Sequence, residues 1–115
     1  MLAKIQFIKG LDEPVLPKVR LTKSKDGSTG TATFYFKNPA ILDKRTLKKG
    51  EITGMYLIDE EGILETRNIS AKFIQGQPKI IESIYIIKSA EEWSRFLRFM
   101  ENYGKLHGLI FTKEA

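Results

Sequence analysis

The 115-residue sequence contains no cysteine, one histidine and no long apolar run, and each shortage excludes a class of protein. Without cysteine the chain can form neither disulfides nor thiolate metal sites, and it has no thiol nucleophile. The longest apolar runs, such as Ile84–Ile87, are far shorter than the roughly 20 residues that a membrane-spanning helix needs. The N-terminus lacks the apolar block of a signal peptide, so we expect the chain to stay where it is made if Met1 is its true start.

Residues suited to catalysis or metal binding are also scarce. His107 falls at the end of a predicted helix, where the helix dipole favours a protonated imidazole with a structural role. The acidic run Asp59–Glu61 before Gly62 is more typical of a solvated hairpin turn than of a cation site, because the alternating acids of a calcium loop are missing. Gly27 and Gly30 lack the spacing of a phosphate-binding loop. The sequence therefore predicts no enzyme activity, no metal and no cofactor.

Charge is abundant and unevenly distributed. The net charge is +5, and residues 1–50 hold eleven Lys and Arg against four Asp and Glu, whereas residues 51–115 hold eight against ten. A basic first half favours an anionic partner, which could be nucleic acid, lipid headgroups or an acidic protein surface. Simple solubility explains the same excess equally well.

Apolar and polar residues alternate through most of the chain before residue 88, which predicts β-strands. Val19 and Leu21 precede a polar loop with glycines at positions 27 and 30, and Ala32, Phe34 and Phe36 follow it, which is typical of a β-hairpin. Further strands are expected around Ile5–Phe7 and in a meander from Glu51, running to Ile58, from the turn at 59–62 to Ile74, and from the turn at 75–78 through Lys88. The last of these strands is apolar on both faces, so we expect it to be central or covered on both sides.

A helix is predicted to start after Ser89, which can serve as N-cap with Glu92 closing a capping box. Gly108 is placed to end it. Arg95 and Arg98 are expected to face water. The apolar stripe consists of Trp93, Phe96, Leu97, Met100 and Tyr103, with Phe99 and Leu106 on one border. This arc is wider than the roughly 100° needed to cover one sheet, so it serves either the core alone or also a partner.

Asn38 and Pro39 predict the start of a short helical turn over Ala40–Leu42, since Asn can accept from first-turn amides and Pro tolerates the first helical position. The predicted fold is a single domain, residues 1–115, of the α+β class. It has one antiparallel or mixed sheet of about five to six strands, one long C-terminal amphipathic helix packed on it, and a short helical turn near Pro39–Leu42.

Two kinds of binding surface are compatible with the basic hairpin. Lys18, Arg20, Lys23 and Lys25 follow one strand beside Tyr35, and a basic sheet with aromatic residues can bind single-stranded RNA. Against this, Phe34 and Phe36 fall on the opposite face from Tyr35. The second possibility is an edge strand that accepts an extended segment of a protein partner at a membrane surface.

Several segments between about residue 4 and Tyr103 together form a recognisable pattern. They are Lys4–Phe7, Val19–Thr22 with Gly30–Phe34, Ile52–Gly62, Lys72–Ile74, Glu92-Trp93, Arg95-Phe96 and Arg98–Glu101. In these segments the chain resembles the Psb-twenty-eight (Psb28) family of photosystem II. The resemblance implies a small extrinsic protein without cofactor or catalytic activity. Such a protein docks on the cytoplasmic or stromal face of photosystem II assembly intermediates, contacts the larger core antenna subunit and reaction-centre subunits, and leaves before the mature complex is active.

Two features depart from the family pattern. The loop Lys44–Lys49 is more basic than expected, and Gly104 interrupts the helix at a cost of about 1 kcal/mol relative to Ala. The resemblance implies a peripheral location at the thylakoid membrane. The absence of a transit peptide fits a cyanobacterial or plastid-encoded member.

From the residues we expect docking by β-strand addition at an edge in the Lys18–Lys37 hairpin. The residues expected to flank the partner segment are Arg20, Lys23, Lys25, Thr31, Thr33 and Tyr35. Docking could hold cofactor-bearing loops of the partner in an inactive arrangement, because a ligand that binds one conformer better shifts the population toward it.

Overall fold

The strands of this protein form two sheets, and the computed structural model describes residues 2–43, 50–108 and 112–114. The α+β class is confirmed. The strands are β1 (Ala3–Ile8), β2 (Leu11–Asp12), β3 (Lys18–Lys23), β4 (Gly30–Lys37), β5 (Met55–Asp59), β6 (Gly62–Thr66), β7 (Ile69–Ile74), β8 (Gln77–Ile87) and β9 (Thr112–Glu114). Helix α1 spans Ala90–His107, and a 3-10 turn spans Ala40–Leu42.

The smaller sheet has the strand order β2-β1-β5-β6, with antiparallel pairing throughout. Alternate residues of β1, from Ala3 through Ile5 to Phe7, are buried. In β5, Met55 and Leu57 are fully buried. Both strands therefore present one face to the core, as the period of two in the sequence predicts.

The larger sheet has the order β7-β8-β4-β3-β9. The predicted hairpin of β3 and β4 is confirmed, with Val19 opposite Phe34 and Leu21 opposite Ala32 on the buried face. Its loop is organised by Asp26, whose Oδ1 accepts hydrogen bonds from Ser28 N and Ser24 Oγ. These bonds lower the pKa of Asp26 to about 2.

The prediction of a single sheet is wrong, because one predicted strand is two strands in different sheets. β6 ends at Thr66 and β7 begins at Ile69, so the chain passes from the smaller to the larger sheet at residues 67–68. Thr66 Oγ1 donates to the backbone oxygen of Ile84, and Asn68 N donates to Thr66 Oγ1. These bonds give polar backbone groups at this corner hydrogen-bond partners. The alternation of apolar and polar residues continues through the corner, so the sequence pattern does not reveal it.

One cluster of buried apolar side chains joins both sheets and the helix. Phe7 of β1 meets Phe36 of β4 edge to face, with ring centroids 4.9 Å apart. Phe96 of α1 packs against Phe34 and Tyr85 of the larger sheet at 6.1 and 5.4 Å. The apolar stripe of the helix is wide because it contacts two sheets, and Trp93, Phe96, Phe99, Met100 and Tyr103 are all buried in the core.

The predicted ends of α1 are confirmed. Ser89 Oγ accepts from Glu92 N at 3.1 Å, and the Glu92 carboxylate accepts from the backbone N–H of Lys88. Gly108 ends the helix with a φ of 73°, which favours glycine. Gly104 does not interrupt the helix, because the helix continues to His107 and packing of its buried face outweighs the propensity cost.

The 3-10 turn is found where it was predicted, but Asn38 does not cap it. The turn has no side-chain cap from its own N-terminal residue, and Asn38 adopts a φ of 50°. Instead, the buried carboxylate of Glu13 accepts from Ala40 N at 2.9 Å and Ile41 N at 2.8 Å. Glu13 and Ala40 are 27 residues apart in the sequence, so a local pattern cannot predict this contact. The basic loop Lys44–Lys49 lies outside the described residues.

None of the helices in the described ranges 2–43 and 50–108 has the length and apolar character needed to cross a membrane.

Candidate docking surface

Strand register brings four of the six predicted docking residues together on one face of the larger sheet. Arg20 lies opposite Thr33, and Thr22 lies opposite Thr31. Lys18 lies opposite Tyr35, two residues further along the same face. Because alternate residues of a strand share a face, Arg20, Thr31, Thr33 and Tyr35 point away from the core. We call this the outer face of the larger sheet.

The outer face continues from β4 onto β8 and becomes apolar there. Thr31 lies opposite Ile86, Thr33 opposite Ile84, and Tyr35 opposite Glu82. β8 is a central strand, as its apolar pattern predicts, but its outer face is not fully covered, since Ile86 is 52% exposed. Ile86 was not predicted as a surface residue. The signal that could have identified it is that its strand is apolar on both faces, so one of these faces can be available to a partner.

Lys23 lies on the opposite side of the sheet from this face. Its neighbours of the same parity, Val19 and Leu21, are buried in the core. Its Nζ lies 5.5 Å from the ring centroid of the buried Trp93, a cation–π geometry. Lys25 is in the exposed hairpin loop. The structure therefore separates Lys23 from the other predicted residues.

The prediction that this hairpin forms an edge of its sheet is wrong for the central residues of β3. β9 pairs with β3 in parallel, placing Arg20 opposite Thr112 and Thr22 opposite Glu114. Among the strands that the structure describes, the outermost strands of the larger sheet are therefore β7 and β9. The reason is non-local, since Gly108 ends the helix and the chain then returns alongside β3. A partner strand at this border meets β9 first.

The acidic turn and the helix, two of the segments that carry the family resemblance, are joined by two arginines. Arg95 donates from both terminal nitrogens to the two carboxylate oxygens of Asp59, each at 2.8 Å. Arg98 donates from Nε and Nη2 to the two carboxylate oxygens of Glu61, at 2.8 and 2.9 Å. The expectation that both arginines face water is wrong for Arg95, which is mostly buried, whereas Arg98 remains exposed. The expectation of a solvated turn is wrong for Asp59, which is buried. We call this pair of contacts the arginine clamp.

The two halves of the clamp differ in burial. The Asp59 side chain is 1% exposed and that of Arg95 is 18% exposed, whereas Arg98 and Glu61 are 52% and 42% exposed. The hydrogen bonds from Arg98 lower the pKa of Glu61, and the same contact raises the pKa of Arg98. The buried half fixes the helix on β5, and the exposed half adds a weaker, screened contact.

His107, at the end of the helix, contacts the backbone of β1 and the ring of Tyr103. His107 Nε2 lies 3.0 Å from the backbone oxygen of Ala3, and its ring packs 4.5 Å from that of Tyr103. Burial raises the pKa of the Tyr103 hydroxyl. Within residues 2–43 and 50–108, no three His, Asp or Glu side chains are grouped to hold a metal ion. His107 instead connects the end of the helix to β1.

Comparison with known proteins identifies the family. A family model described as Psb28 protein matches residues 5–111. A protein of Phaeodactylum tricornutum named Photosystem II reaction center Psb28 protein is 74% identical over 115 residues, which is 100% of both chains. Proteins with the same name from Pyropia yezoensis and Trichormus variabilis are 60% and 57% identical, over 99% and 97% of this chain and 99% of each relative. The resemblance is confirmed, and the chain belongs to the Psb28 family.

Proposed function

We propose that this protein is a non-catalytic, extrinsic assembly factor of photosystem II. It binds the cytoplasmic or stromal face of assembly intermediates and contacts core antenna and reaction-centre subunits, without a cofactor or a small-molecule substrate. Support for the photosystem comes from the family and from the names of relatives that match essentially the whole chain. Support for a docking role comes from an outer sheet face where basic and polar residues adjoin the exposed Ile86.

The outer face is suited to a protein partner because it combines charge with apolar area. Arg20 and Thr33 lie side by side on β3 and β4, and Ile84 and Ile86 lie next to Thr33 and Thr31. An interface typically has an apolar centre and a polar rim, and an exposed isoleucine among threonines fits that description. The proposed docking residues are Arg20, Thr31, Thr33, Tyr35 and Lys25. Lys23 is not among them, because it contacts the buried Trp93 on the other side of the sheet.

Strand addition is proposed at the border formed by β3 and β9. β9 has three residues and pairs with three residues of β3, so only a few hydrogen bonds hold it there. The net contribution of each such bond is about 1 kcal/mol, so a longer partner strand can extend β9 or replace it. Side chains of the partner would then lie across Arg20 and Thr33 on the adjacent face.

The alternative inferred from the sequence, binding of single-stranded nucleic acid, receives less support. Across β3, β4 and β8, Tyr35 is the one aromatic residue whose strand position faces outward. Sequence-tolerant binding of single strands uses several aromatic platforms on which successive bases stack. RNA binding with a steep salt dependence that requires this face would favour the alternative.

Charge reversal tests the docking face. We expect Lys18→Glu with Lys25→Glu to reduce by tenfold or more the photosystem II core subunits that co-isolate with the tagged protein in mild detergent, because both lysines are exposed beside the proposed contact. Lys23 is left unchanged, since its contact with Trp93 would mix a folding effect with a binding effect. The melting temperature of the variant should match that of the wild type.

The matched control changes the same amount of charge elsewhere. Lys9→Glu with Lys105→Glu alters two exposed basic residues, one between β1 and β2 of the smaller sheet and one on α1, and we expect co-isolation to be retained. Equal recovery of the core subunits with both double variants would contradict the assignment of this face. Recovery of no photosystem II subunit even with the wild type would contradict the proposed function itself.

A further inference from the structure

The hairpin of β7 and β8 carries apolar side chains that the core does not use. Phe73 is 65% exposed and Ile74 is 49% exposed, directly before the tight turn at Gln75 and Gly76. Both turn residues have positive φ angles, 52° and 78°, which is the geometry that closes a two-residue hairpin. From Ser70 onward every residue of β7 is exposed. Segment Lys72–Ile74 is among those that resemble the family, yet packing does not explain its apolar character.

The two apolar residues lie on opposite faces of this hairpin. Phe73 lies opposite Pro78, and Ile74 lies opposite Gln77. Successive side chains of a strand point to opposite faces, so the tip is apolar on both sides. A flat protein surface would contact one face of the tip and leave the other in water. An apolar medium that surrounds the tip takes up both side chains.

The backbone at the tip limits how deeply it can enter a bilayer. Ile74 pairs with Gln77 next to the turn, and Pro78, opposite Phe73, has no N–H to satisfy. Among the described strands β7 is an outermost one, so the backbone groups on its outer side lack a partner strand and must stay hydrated. The tip can therefore place its side chains in the upper acyl region while its backbone remains among the headgroups.

Basic residues surround the base of the tip. Lys72 adjoins Phe73, Lys79 follows Pro78, and Lys37 lies opposite Ile80 on β4. Glu82 opposes this charge, with its carboxylate 3.1 Å from the Lys72 ammonium. The balance remains positive, in line with the net charge of +5. Lysines near an anionic bilayer contribute on the order of 1 kcal/mol each, so the tip combines apolar insertion with attraction to negative lipid.

We propose that the tip of the β7–β8 hairpin is a membrane anchor that inserts Phe73 and Ile74 into the interfacial layer of an anionic lipid bilayer. The inference goes beyond docking on photosystem II, because it assigns a direct lipid contact to a part of the molecule outside the docking face. Anchoring restricts the protein to the membrane plane, where encounter with a membrane-embedded partner is more frequent.

Vesicle binding tests the anchor without any photosystem protein. The full-length protein is sedimented with vesicles of phosphatidylcholine, and with vesicles of phosphatidylcholine mixed with phosphatidylglycerol. We expect binding to the mixed vesicles and little to phosphatidylcholine alone. Phe73→Ser with Ile74→Ser should weaken binding roughly tenfold or more, because burial of one such side chain accounts for about that factor.

The control variant is Ile63→Ser, which removes an apolar side chain of similar exposure, 56%, on a different sheet. It should bind vesicles as the wild type does. A Phe73→Trp variant gives a second readout, since fluorescence of the new indole should shift to the blue and be quenched by brominated lipid. Trp93, the one native tryptophan, is buried and supplies a constant background.

Three results would overturn the anchor. They are equal sedimentation of the Phe73→Ser, Ile74→Ser variant and the wild type, equal binding to both kinds of vesicle, and failure of the wild type to bind either. If the first of these results is accompanied by loss of photosystem II co-isolation in detergent by the same variant, the tip is assigned to a protein contact instead. Because vesicles contain no photosystem, these failures leave the proposed function standing.

Discussion

Arg95→Met is expected to lower the free energy of unfolding by about 3 kcal/mol or more, with a fall in melting temperature on the order of 10 °C. The Asp59 side chain is 1% exposed and receives two hydrogen bonds from Arg95. Without Arg95, the buried Asp59 carboxylate loses its main cation. In the described structure its other donor within hydrogen-bond distance, the backbone N–H of Glu61, remains. Chemical denaturation followed by circular dichroism measures the change.

Arg98→Met is the matched control for the clamp. It removes another two-point contact, made by Nε and Nη2 of an arginine on the same helix, but Arg98 and Glu61 are both exposed, so solvent screens the pair and we expect a much smaller loss than for Arg95→Met. The double variant Asp59→Leu, Arg95→Met should recover much of the lost stability, because it removes both buried charges together. An equal loss for Arg95→Met and Arg98→Met would contradict the difference that we assign to burial.

Gly30→Ala is expected to destabilise the protein by about 3 kcal/mol, although it adds a single methyl group. A Cβ atom at this position would lie 2.2 Å from the backbone oxygen of Thr22 and 2.3 Å from Cζ2 of Trp93. Neither neighbour moves easily, because Thr22 is in the ladder of β3 and the buried Trp93 ring packs at the start of α1. The strand and the helix must therefore separate to make room.

Thr29→Ala, one residue earlier in the exposed loop, is the control and should change stability by less than about 0.5 kcal/mol. Thermal unfolding of both variants gives the comparison. A melting temperature for Gly30→Ala equal to that of the wild type would show that the helix does not approach β4 as closely as described.

Local pattern predicted most of the elements because their causes are local. Ser89 and Gly108 fix the ends of α1 through bonds to residues within four positions, and the β3–β4 hairpin follows from alternation and a glycine-bounded loop. Of the predicted helix stripe, Trp93, Phe96, Met100 and Tyr103 are buried as expected, whereas Leu97 is only partly buried. Of the two predicted border residues, Phe99 is fully buried and Leu106 is exposed. What the sequence could not supply was the number of surfaces that this stripe contacts.

Most of the failures involve partners distant in sequence. Asp59 and Arg95 are 36 positions apart, and each alone has the character of a solvated residue. The return of β9 along β3 likewise depends on where a helix of 18 residues ends in space. Lys23 is the exception, because its parity with Val19 and Leu21 was enough to place it on the side of β3 that faces the core, where it meets Trp93.

We propose that the protein works by docking the outer face of its larger sheet on photosystem II intermediates, and a crosslinking experiment tests this most directly. A photoreactive amino acid at Thr33, at the centre of that face, should crosslink to core antenna or reaction-centre subunits when the protein is irradiated in thylakoids. The same group at Glu101, exposed on the far side of α1, should give no such product. Crosslinks to photosystem II from position 101 and none from position 33 would contradict the claim.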